Sequence, residues 1–314
     1  MKTGIQTSWF SNGNLILSGE YFVLAGAKAL AVPLKFGQGM IIEYYIDKQN
    51  TISWKTSELG KPWFKAELDC ETLKIKTSSD TEVAQRLQKL LKAIQILKPE
   101  IFNKEFSYNI TCDIQFKLNW GWGSSSTLIS NLANWAGIDP FRLHKQVSSG
   151  SGYDIAASLS PTPLIYQITN GSHQINQVEF NPSFKEYIYF IYLGRKQNSE
   201  RSIDENIASV KKNVKLIPVI SDITEKIARE KNVNEFIRSI IEHEELLSTV
   251  LNMTRIRNKY FSDFRGEIKS LGAWGGDFAM VVSPLELVYV KQYFKEKNLD
   301  TIFRFDEVVK NTLL

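Results

Sequence analysis

Apolar and polar positions follow two different periods along the chain, which predicts a mixture of strands and helices. Short apolar runs bounded by turn residues are typical of strands. In the first half these runs lie at 8–10, 15–17, 21–24, 40–46, 51–54, 63–68 and 106–114, and in the second half at 164–168, 174–180, 187–193, 278–282 and 302–305. A composition change at 160–163, Ser-Pro-Thr-Pro, predicts a boundary between two domains, 1–160 and 161–314.

Apolar residues three and four positions apart predict helices. The clearest helix spans 83–97, where a capping pattern at 79–82 precedes the apolar face and Pro99 follows it. Residues 200–251 contain charged amphipathic helices. In that region the apolar face excludes 242–245, Glu-His-Glu-Glu, so these four side chains are predicted to face solvent and not to form a metal site.

One loop combines glycine, serine and the start of a helix. Residues 119–127 read Asn-Trp-Gly-Trp-Gly-Ser-Ser-Ser-Thr and lead into an apolar helical segment. Glycines permit successive N–H groups to point at one anion, serines add hydroxyl donors, and a helix N-terminus adds free N–H groups. This pattern predicts a phosphate-binding loop, although a serine-capped helix after a polar turn explains the segment alone equally well. No lysine follows the glycines, so the loop is not a Walker A motif.

Three other glycine-containing turns carry candidate chemistry. Gly19-Glu20 separates two apolar runs and on its own would be an ordinary turn. Residues 148–157 place a single carboxylate, Asp154, near the start of an apolar helix, where it is either an N-cap or a functional acid. Residues 269–277 form a glycine-rich turn ahead of an apolar strand.

Composition and charge exclude several functional classes. The 314 residues include 38 basic and 34 acidic side chains, and these are scattered, so neither nucleic acid nor a membrane surface is the expected partner. Cys70 and Cys112 are too few for a disulfide framework and are predicted to fill the core of a cytoplasmic protein. The chain has no apolar run of membrane-spanning length, so we expect a soluble monomer or homodimer.

Taken together and in order, four segments resemble the motifs of the GHMP kinase superfamily, which includes galactokinase, homoserine kinase, mevalonate kinase and phosphomevalonate kinase. The segments are 13–26, 121–126, 151–154 and 272–277. They are most similar to the mevalonate and phosphomevalonate kinase branch, and Gly-Tyr-Asp-Ile-Ala at 152–156 also resembles an uncharacterised bacterial group named after these residues. The resemblance implies a two-lobed α+β fold with an N-terminal ribosomal-protein-S5-like lobe that binds ATP and a C-terminal α/β-sandwich lobe that completes the acceptor site.

The resemblance also implies an activity, a phosphotransferase that moves the γ-phosphoryl group of MgATP to a small molecule in the cleft between the lobes. Mevalonate or phosphomevalonate is the acceptor that the motifs favour, and ATP and Mg²⁺ are the implied cofactors. Two alternatives stay open: a kinase for another hydroxyl acceptor such as homoserine or a sugar, and a nucleotide-binding protein that has lost catalysis.

The family pattern assigns roles to individual residues. It implies that Asp154 accepts or orients the proton of the acceptor hydroxyl and that Ser125 is a catalytic ligand of Mg²⁺. The residues implied to wrap the ATP phosphates are Gly121, Trp122, Gly123, Ser124, Ser125 and Ser126. The residues that the pattern implies on the acceptor side are Glu20, Tyr21, Ser151, Gly152, Gly272 and Ala273, and Lys196 is added to them as a hypothesis without a motif match.

This chain departs from the family pattern at two charged positions. Asn14 stands where mevalonate kinases have a lysine, and Lys28 or Lys35 is a candidate substitute. The acidic Mg²⁺ ligand of mevalonate kinase falls near Leu143 and His144, so Ser125, the phosphates and water would have to hold the metal.

Two pairs of residues have no match in the family pattern. Trp122 occupies a position usually taken by leucine and Trp274 one usually taken by glycine, and a tryptophan at a glycine position is expected to narrow the cleft or stack on a ligand. Arg195 and Lys196 follow a predicted strand, where they either form a solvated turn or bind an anionic group of the acceptor.

Overall fold

The computed structural model describes residues 5–46, 49–103, 105–194, 199–274 and 277–311. These residues form an α+β fold with a large mixed sheet and a second, four-stranded sheet, as predicted. The chain divides into two compact units, each built from several segments. Unit 1 comprises Met1–Gly13, Phe36–Leu118 and Gly123–Ser158, and unit 2 comprises Asn14–Lys35, Asn119–Trp122 and Leu159–Leu314.

Two long strands run through both units, and four shorter strands belong to unit 1. They are β1 (Ile5–Ser18), β2 (Ala29–Ile46), β3 (Thr51–Glu58), β4 (Lys61–Asp69), β5 (Ile75–Ser78) and β6 (Phe106–Ile114). Within unit 1 the strand order is β5-β4-β3-β6-β2, with β1 also paired to β2. The β3–β6 pair is parallel, whereas β2 and β6 pair in antiparallel register with Met40 opposite Cys112.

Helices cover one face of the unit 1 sheet. They are α1 (Thr81–Leu97), α2 (Ser124–Ala136), α3 (Pro140–Val147) and α4 (Tyr153–Leu159). The Asp80 side chain caps α1 by accepting the Val83 N–H at 3.0 Å. The apolar face of α1 and the inner residues of β3 and β6 bury Leu91, Ile94 and Ile110 in one core. Burial of this core anchors the helices that carry the candidate site.

Cys70 and Cys112 lie in the unit 1 core as free thiols. Burial raises the pKa of each thiol to about 12. Both cysteines therefore behave as small apolar residues, which confirms the sequence-based prediction of core fillers.

Unit 2 contains the remaining elements. They are β7 (Leu164–Thr169), β8 (Ser172–Gln177), β9 (Ile188–Tyr192), α5 (Ser199–Lys212), α6 (Ile217–Arg229), α7 (Val233–Leu251), α8 (Ile256–Tyr260), β10 (Glu267–Ser270), β11 (Phe278–Val282), α9 (Leu287–Lys295), β12 (Ile302–Arg304) and α10 (Phe305–Val308). The first residues of β2 pair with β7, and β7 pairs with β8. The second sheet has the antiparallel order β10-β11-β9-β12.

The structure corrects two details of the first predicted strands. The turn expected at 11–13 is absent, because Ser11, Asn12 and Gly13 are buried in the middle of β1. The strand expected at 21–24 is a 3₁₀ helix, Phe22–Ala25. Tyr21 before it and Gly26 after it both have positive φ, 61° and 97°. Positive φ interrupts the extended backbone at both ends, so the apolar residues between them form a single helical turn and not a strand.

Among the described residues, no helix combines the length and the apolar character needed to cross a membrane.

Candidate active site

The N-terminus of α2 in unit 1 is the predicted phosphate-binding element. Its N-cap is Gly123, in the left-handed conformation at φ 79°, and no side chain caps the helix within the described residues. The Ser126 hydroxyl donates back to the Gly123 carbonyl at 2.9 Å, whereas Ser125 is exposed. The alternative of a serine-capped helix is therefore wrong, and α2 begins at a glycine in the left-handed conformation, a helix start of the kind that suits an anion.

Buried polar residues hold α2 in place. Asn131 accepts the Ser11 hydroxyl and donates to the Gln38 carbonyl, each at 2.8 Å. The Thr127 hydroxyl donates to the Gln38 side chain at 2.7 Å. Asn131 and Thr127 are fully buried, so these bonds fix the direction in which the α2 N-terminus points. The sequence contained a signal for this network, since polar residues interrupt the apolar face of α2.

Asp154 is the second residue of α4 in unit 1 and is not its N-cap. Its Oδ1 accepts the Ile155 N–H at 3.0 Å, and the Ser151 hydroxyl receives the Tyr153 N–H at 3.4 Å. Burial raises the pKa of the Asp154 carboxyl, and the nearby His144 lowers it in part. Gly152, with φ 84°, provides the turn that leads into α4.

The helix before α4, α3, contributes His144, one of the two residues named above for the position of the missing acidic ligand. His144 is 6 % exposed, and a methyl group placed on Gly150 would lie 3.5 Å from its Nε2. Leu143 is completely buried in the core. These two α3 residues therefore supply an imidazole and a core side chain, and neither supplies a carboxylate.

Two tryptophans, Trp120 and Trp122, hold the part of the glycine loop that belongs to unit 2, Asn119–Trp122. The ring of Trp122 lies 5.2 Å from Phe278 and 5.3 Å from Phe303, and Trp120 lies 6.0 Å from Phe278. The Trp122 side chain is completely buried, as a leucine at the same position would be expected to be. Its backbone carbonyl accepts the Asn14 N–H at 3.1 Å.

Asp277 lies directly beside Gly121. A methyl group placed on Gly121 would lie 2.7 Å from the Asp277 Cγ, with the carboxylate oxygen Oδ2 closer still. Gly121 has φ 68°, and the Asp277 carbonyl accepts the Leu193 N–H at 2.8 Å. Any residue other than glycine at 121 would be both strained and in collision with the carboxylate.

Glu20 belongs to a buried charged cluster in unit 2. The Lys269 ammonium donates to Glu20 Oε1 and, at 3.0 Å, to the Ser270 carbonyl. Glu244 Oε1 lies 3.5 Å from the same ammonium nitrogen. His243 Nε2 accepts the Gly19 N–H at 3.0 Å, which leaves its proton on Nδ1.

This cluster corrects the prediction for 242–245. Glu242 and Glu245 are exposed as expected, but His243 and Glu244 are completely buried. The apolar pattern of α7 could not reveal this second buried face, because it exists only through the pairing with Lys269 from β10. The two buried residues, His243 and Glu244, face the Gly19-Glu20 turn.

Burial controls the protonation of the cluster. It raises the pKa of Glu20, which Lys269 lowers in part, and raises the pKa of Glu244 to about 8. It also holds the pKa of His243 well below its usual range, and Lys269 adds to this effect. At neutral pH the cluster therefore holds a protonated Glu244 and a neutral His243 beside the Glu20–Lys269 pair.

Glu20, His243 and Glu244 bring potential metal-ligand atoms within 4.8 Å of one another. The Lys269 ammonium already supplies a positive charge among them, bound to Glu20 and close to Glu244. A divalent cation in the same place would face a fixed like charge. Lys269 therefore already supplies the counter-charge of Glu20, and this internal ion pair fixes the Glu20 side chain.

The other unit 2 residues that were predicted to contact the acceptor are also hydrogen-bonded or buried within this unit. The Tyr21 hydroxyl bonds to the Ser202 hydroxyl at 2.7 Å and accepts the Trp274 N–H at 3.2 Å. Trp274 is 2 % exposed and its Nε1 donates to Glu20 at 3.4 Å, so this tryptophan bridges the first and last motifs. Gly272 has φ 63° and is partly buried beside the buried Ala273.

Both lysines proposed to replace the family lysine have partners within unit 2. Lys28 pairs with Glu225, and the Lys35 ammonium donates to the Asp306 carbonyl. Lys196, together with Arg195, lies outside the described residues, and its predicted role stays a prediction.

Comparisons with known proteins were made for sequence families, curated proteins and solved structures. No family model matches, and no curated protein matches. Mevalonate kinase of L. major in complex with R-mevalonate superposes with a TM-score of 0.71 at 13 % identity, covering 100 % of this chain and 99 % of that one. Lactococcus lactis galactokinase complexed with galactose gives a TM-score of 0.68 at 12 % identity, covering 98 % and 93 %.

Streptococcus pneumoniae phosphomevalonate kinase, in complex with phosphomevalonate and AMPPNP, gives a TM-score of 0.66 at 15 % identity, covering 95 % of this chain and 100 % of that one. The chain has the GHMP kinase fold. At these identities the likeness establishes the architecture alone.

Proposed function

We propose that the protein is an ATP-dependent small-molecule kinase that transfers the γ-phosphoryl group of MgATP to an acceptor of the mevalonate or phosphomevalonate type. The observation that carries the proposal is the α2 N-terminus, which has Gly123 at its N-cap and no capping side chain among the described residues, in the same unit as the half-buried Asp154. An uncapped helix N-terminus suits phosphate, and a carboxyl with a raised pKa suits proton transfer near neutral pH.

The reaction assigns one task to each of these elements. The first-turn backbone of α2 and the Ser124 hydroxyl bind the phosphates, so the negative charge that develops on transfer meets donors already in place; the Ser126 hydroxyl, expected to join them, is buried and donates to Gly123. When a hydroxyl acceptor attacks the γ-phosphorus, its oxygen forms the new P–O bond, the bond to ADP breaks, and the hydroxyl proton passes to Asp154. A phosphate acceptor would need no such proton transfer, and Asp154 would then only orient it.

Mg²⁺ fits the donors that unit 1 presents. Mg²⁺ prefers hard oxygen ligands, and the Ser125 hydroxyl is an exposed oxygen at the first turn of α2. Ser126 is excluded from this role by its bond to Gly123. When bound, the metal would neutralise phosphate charge, and Ser125 is the residue of unit 1 that would hold it.

An ADP-release assay with mevalonate, phosphomevalonate, homoserine and galactose tests the proposal. We expect turnover with one of the first two acceptors and a loss of at least about a hundredfold in kcat for Asp154→Asn. Asp113→Asn, at an exposed position of β6, is the matched control and should keep normal activity. Near-normal turnover by Asp154→Asn would remove Asp154 from the proton-transfer role.

A second function is favoured by the internal contacts of unit 2. Glu20, Tyr21 and Trp274 are buried and bonded to one another or to Lys269, and Lys28 and Lys35 have other partners. A chain in which these groups are not available to an acceptor would bind nucleotide without transferring phosphate. Stabilisation by MgATP in a thermal-shift assay, together with no ADP release on any acceptor, would support this alternative.

A further inference from the structure

Strand β8 of unit 2 forms one edge of the large sheet, and that edge is unprotected. The strand order ends at β8, which pairs with β7 and with no other strand among the described residues. All six of its residues are exposed. An edge strand presents a row of backbone N–H and C=O groups that another strand can bind, and proteins usually guard such edges with charge, proline, short length or a covering element.

The other strands that end a sheet order have such protection. β5 has four residues, one of which, Lys76, is charged. The four residues of β10 are all buried, and the three residues of β12 are half-buried. β1, which pairs with β2 outside this order, is buried over its last eight residues. In contrast, residues 170–178 contain no proline and no Asp, Glu, Lys or Arg side chain.

The hairpin turn fixes which backbone groups of β8 point away from β7. The two strands are joined by the two residues 170–171, both with positive φ, as in a type I′ turn. Such a turn makes its flanking residues a hydrogen-bonded pair, and the pattern alternates along the strand. The Val178 N–H bonds to the Pro163 carbonyl at 2.9 Å, in the same phase. The N–H and C=O groups of Ile175 and Gln177 therefore point away from β7.

The direction of the Ile175 backbone favours one occupant of this edge, a second copy of the same strand. In an antiparallel pair related by a two-fold axis, a residue with outward backbone groups lies opposite itself in the other copy. With Ile175 at the centre, the two isoleucine side chains meet on one face of the sheet, and each is 43 % exposed in the single chain. The remaining cross-strand pairs come from residues 172–178, so no like charges are brought together.

We propose that the protein forms a two-fold symmetric homodimer in which β8 pairs antiparallel with β8 of a second copy, centred on Ile175. The pairing satisfies outward backbone groups of both strands and covers both Ile175 side chains. It uses no residue assigned to phosphoryl transfer, so it stands independently of the proposed function. A six-residue strand pair buries less than the roughly 800 Å² per partner of a standard interface, so we expect a Kd in the micromolar range.

Sedimentation velocity at increasing protein concentration measures the dimer. We expect the unaltered protein to pass from monomer to dimer as its concentration rises through the micromolar range. Ile175→Lys places two ammonium groups opposite each other and should raise the Kd by about tenfold or more. Gln174→Lys is the matched control, because it adds the same charge on the other face of β8, opposite Asn176, and should change the Kd by less than about threefold.

A cysteine variant tests the register directly. In a hydrogen-bonded antiparallel pair the Cα atoms lie about 5.5 Å apart, a distance that a disulfide spans. Mild oxidation of Ile175→Cys should therefore give a covalent dimer. Gln174→Cys should not, because its counterpart in the second copy is displaced by two residues along the strand. The native thiols, Cys70 and Cys112, are buried and do not interfere.

Each alternative outcome contradicts a stated part of the proposal. A protein that stays monomeric at every concentration would overturn it, as would a dimer that Ile175→Lys leaves unchanged, because a different surface would then form that dimer. A covalent dimer from Gln174→Cys but not from Ile175→Cys would overturn the pairing centred on Ile175. Because Ile175 is exposed, we expect both of its variants to unfold at the same temperature as the unaltered monomer, and the cysteine pair decides the question if the lysine variant does not fold.

Discussion

Replacing Glu244 by glutamine should stabilise the protein at neutral pH and leave it almost unchanged in acid. Glu244 is completely buried between Lys269, Glu20 and Arg255, and desolvation raises its pKa from 4.5 to about 8. The folded chain therefore binds a proton at pH 7 that the unfolded chain releases. Glutamine has nearly the same shape and takes up no proton.

The magnitude follows from the two pKa values. A raised folded pKa gives stability that is fully present below 4.5 and is lost as the pH rises towards 8. Each pKa unit corresponds to about 1.4 kcal/mol, so the wild-type protein loses about 3 kcal/mol by pH 7 that the glutamine variant keeps. Between about pH 5 and pH 7 the stability difference should grow by roughly 2 to 3 kcal/mol.

Urea unfolding of both proteins at several pH values measures this difference. Glu242→Gln is the matched control, since Glu242 is an exposed neighbour on the same helix and should show little pH dependence relative to wild type. A stability difference that stays flat across this pH range, or a glutamine variant that is less stable at pH 7, would show that Glu244 is ionised in the folded protein. The protonation assigned to the cluster would then be wrong.

Three further predictions test other parts of the structure by the same unfolding measurement. Lys269→Met should lower the free energy of unfolding by about 3 to 5 kcal/mol, because it leaves the Glu20 carboxylate buried without its counter-charge. An unchanged free energy of unfolding would show that Glu20 is protonated in the folded protein. Trp122→Ala should cost about 3 to 5 kcal/mol, because it opens a cavity beside Phe278 and Phe303; a loss below about 1 kcal/mol would contradict the packing role of the indole. Asp80→Ala should cost about 1 kcal/mol through loss of the α1 cap, and Asp80→Ser should restore most of it; equal stability of the alanine and serine variants would refute the cap.

Local patterns in the sequence predicted much of the fold. The strand at 106–114 has the predicted bounds as β6, and the helix after the capping pattern begins at Thr81 and ends at Leu97 as α1. These elements follow from alternation, helical spacing and capping, which act between neighbours in the chain. The four ordered motifs were enough to suggest the two-lobed architecture that the solved kinases share.

Other features depend on residues far apart in the chain and left weaker signals. His243 and Glu244 are buried because they lie against Lys269 and Glu20, and the spacing of apolar residues in α7 does not reveal these contacts. The burial of Trp122 depends on Phe278 and Phe303, and Trp274, which was expected to narrow the cleft or stack on a ligand, is buried with its Nε1 on Glu20. Tertiary pairing of this kind overrides a local polar pattern.

The interleaved path of the chain has a consequence for how the protein can be divided. Unit 2 includes Asn14–Lys35 and Asn119–Trp122, which come from the half of the sequence that otherwise builds unit 1. A fragment cut at 160 would deprive unit 2 of Glu20 and of the tryptophans that pack on Phe278. Neither half of the gene product is thus an autonomous module, and recombination at the apparent boundary would separate Lys269 from its carboxylate partner Glu20.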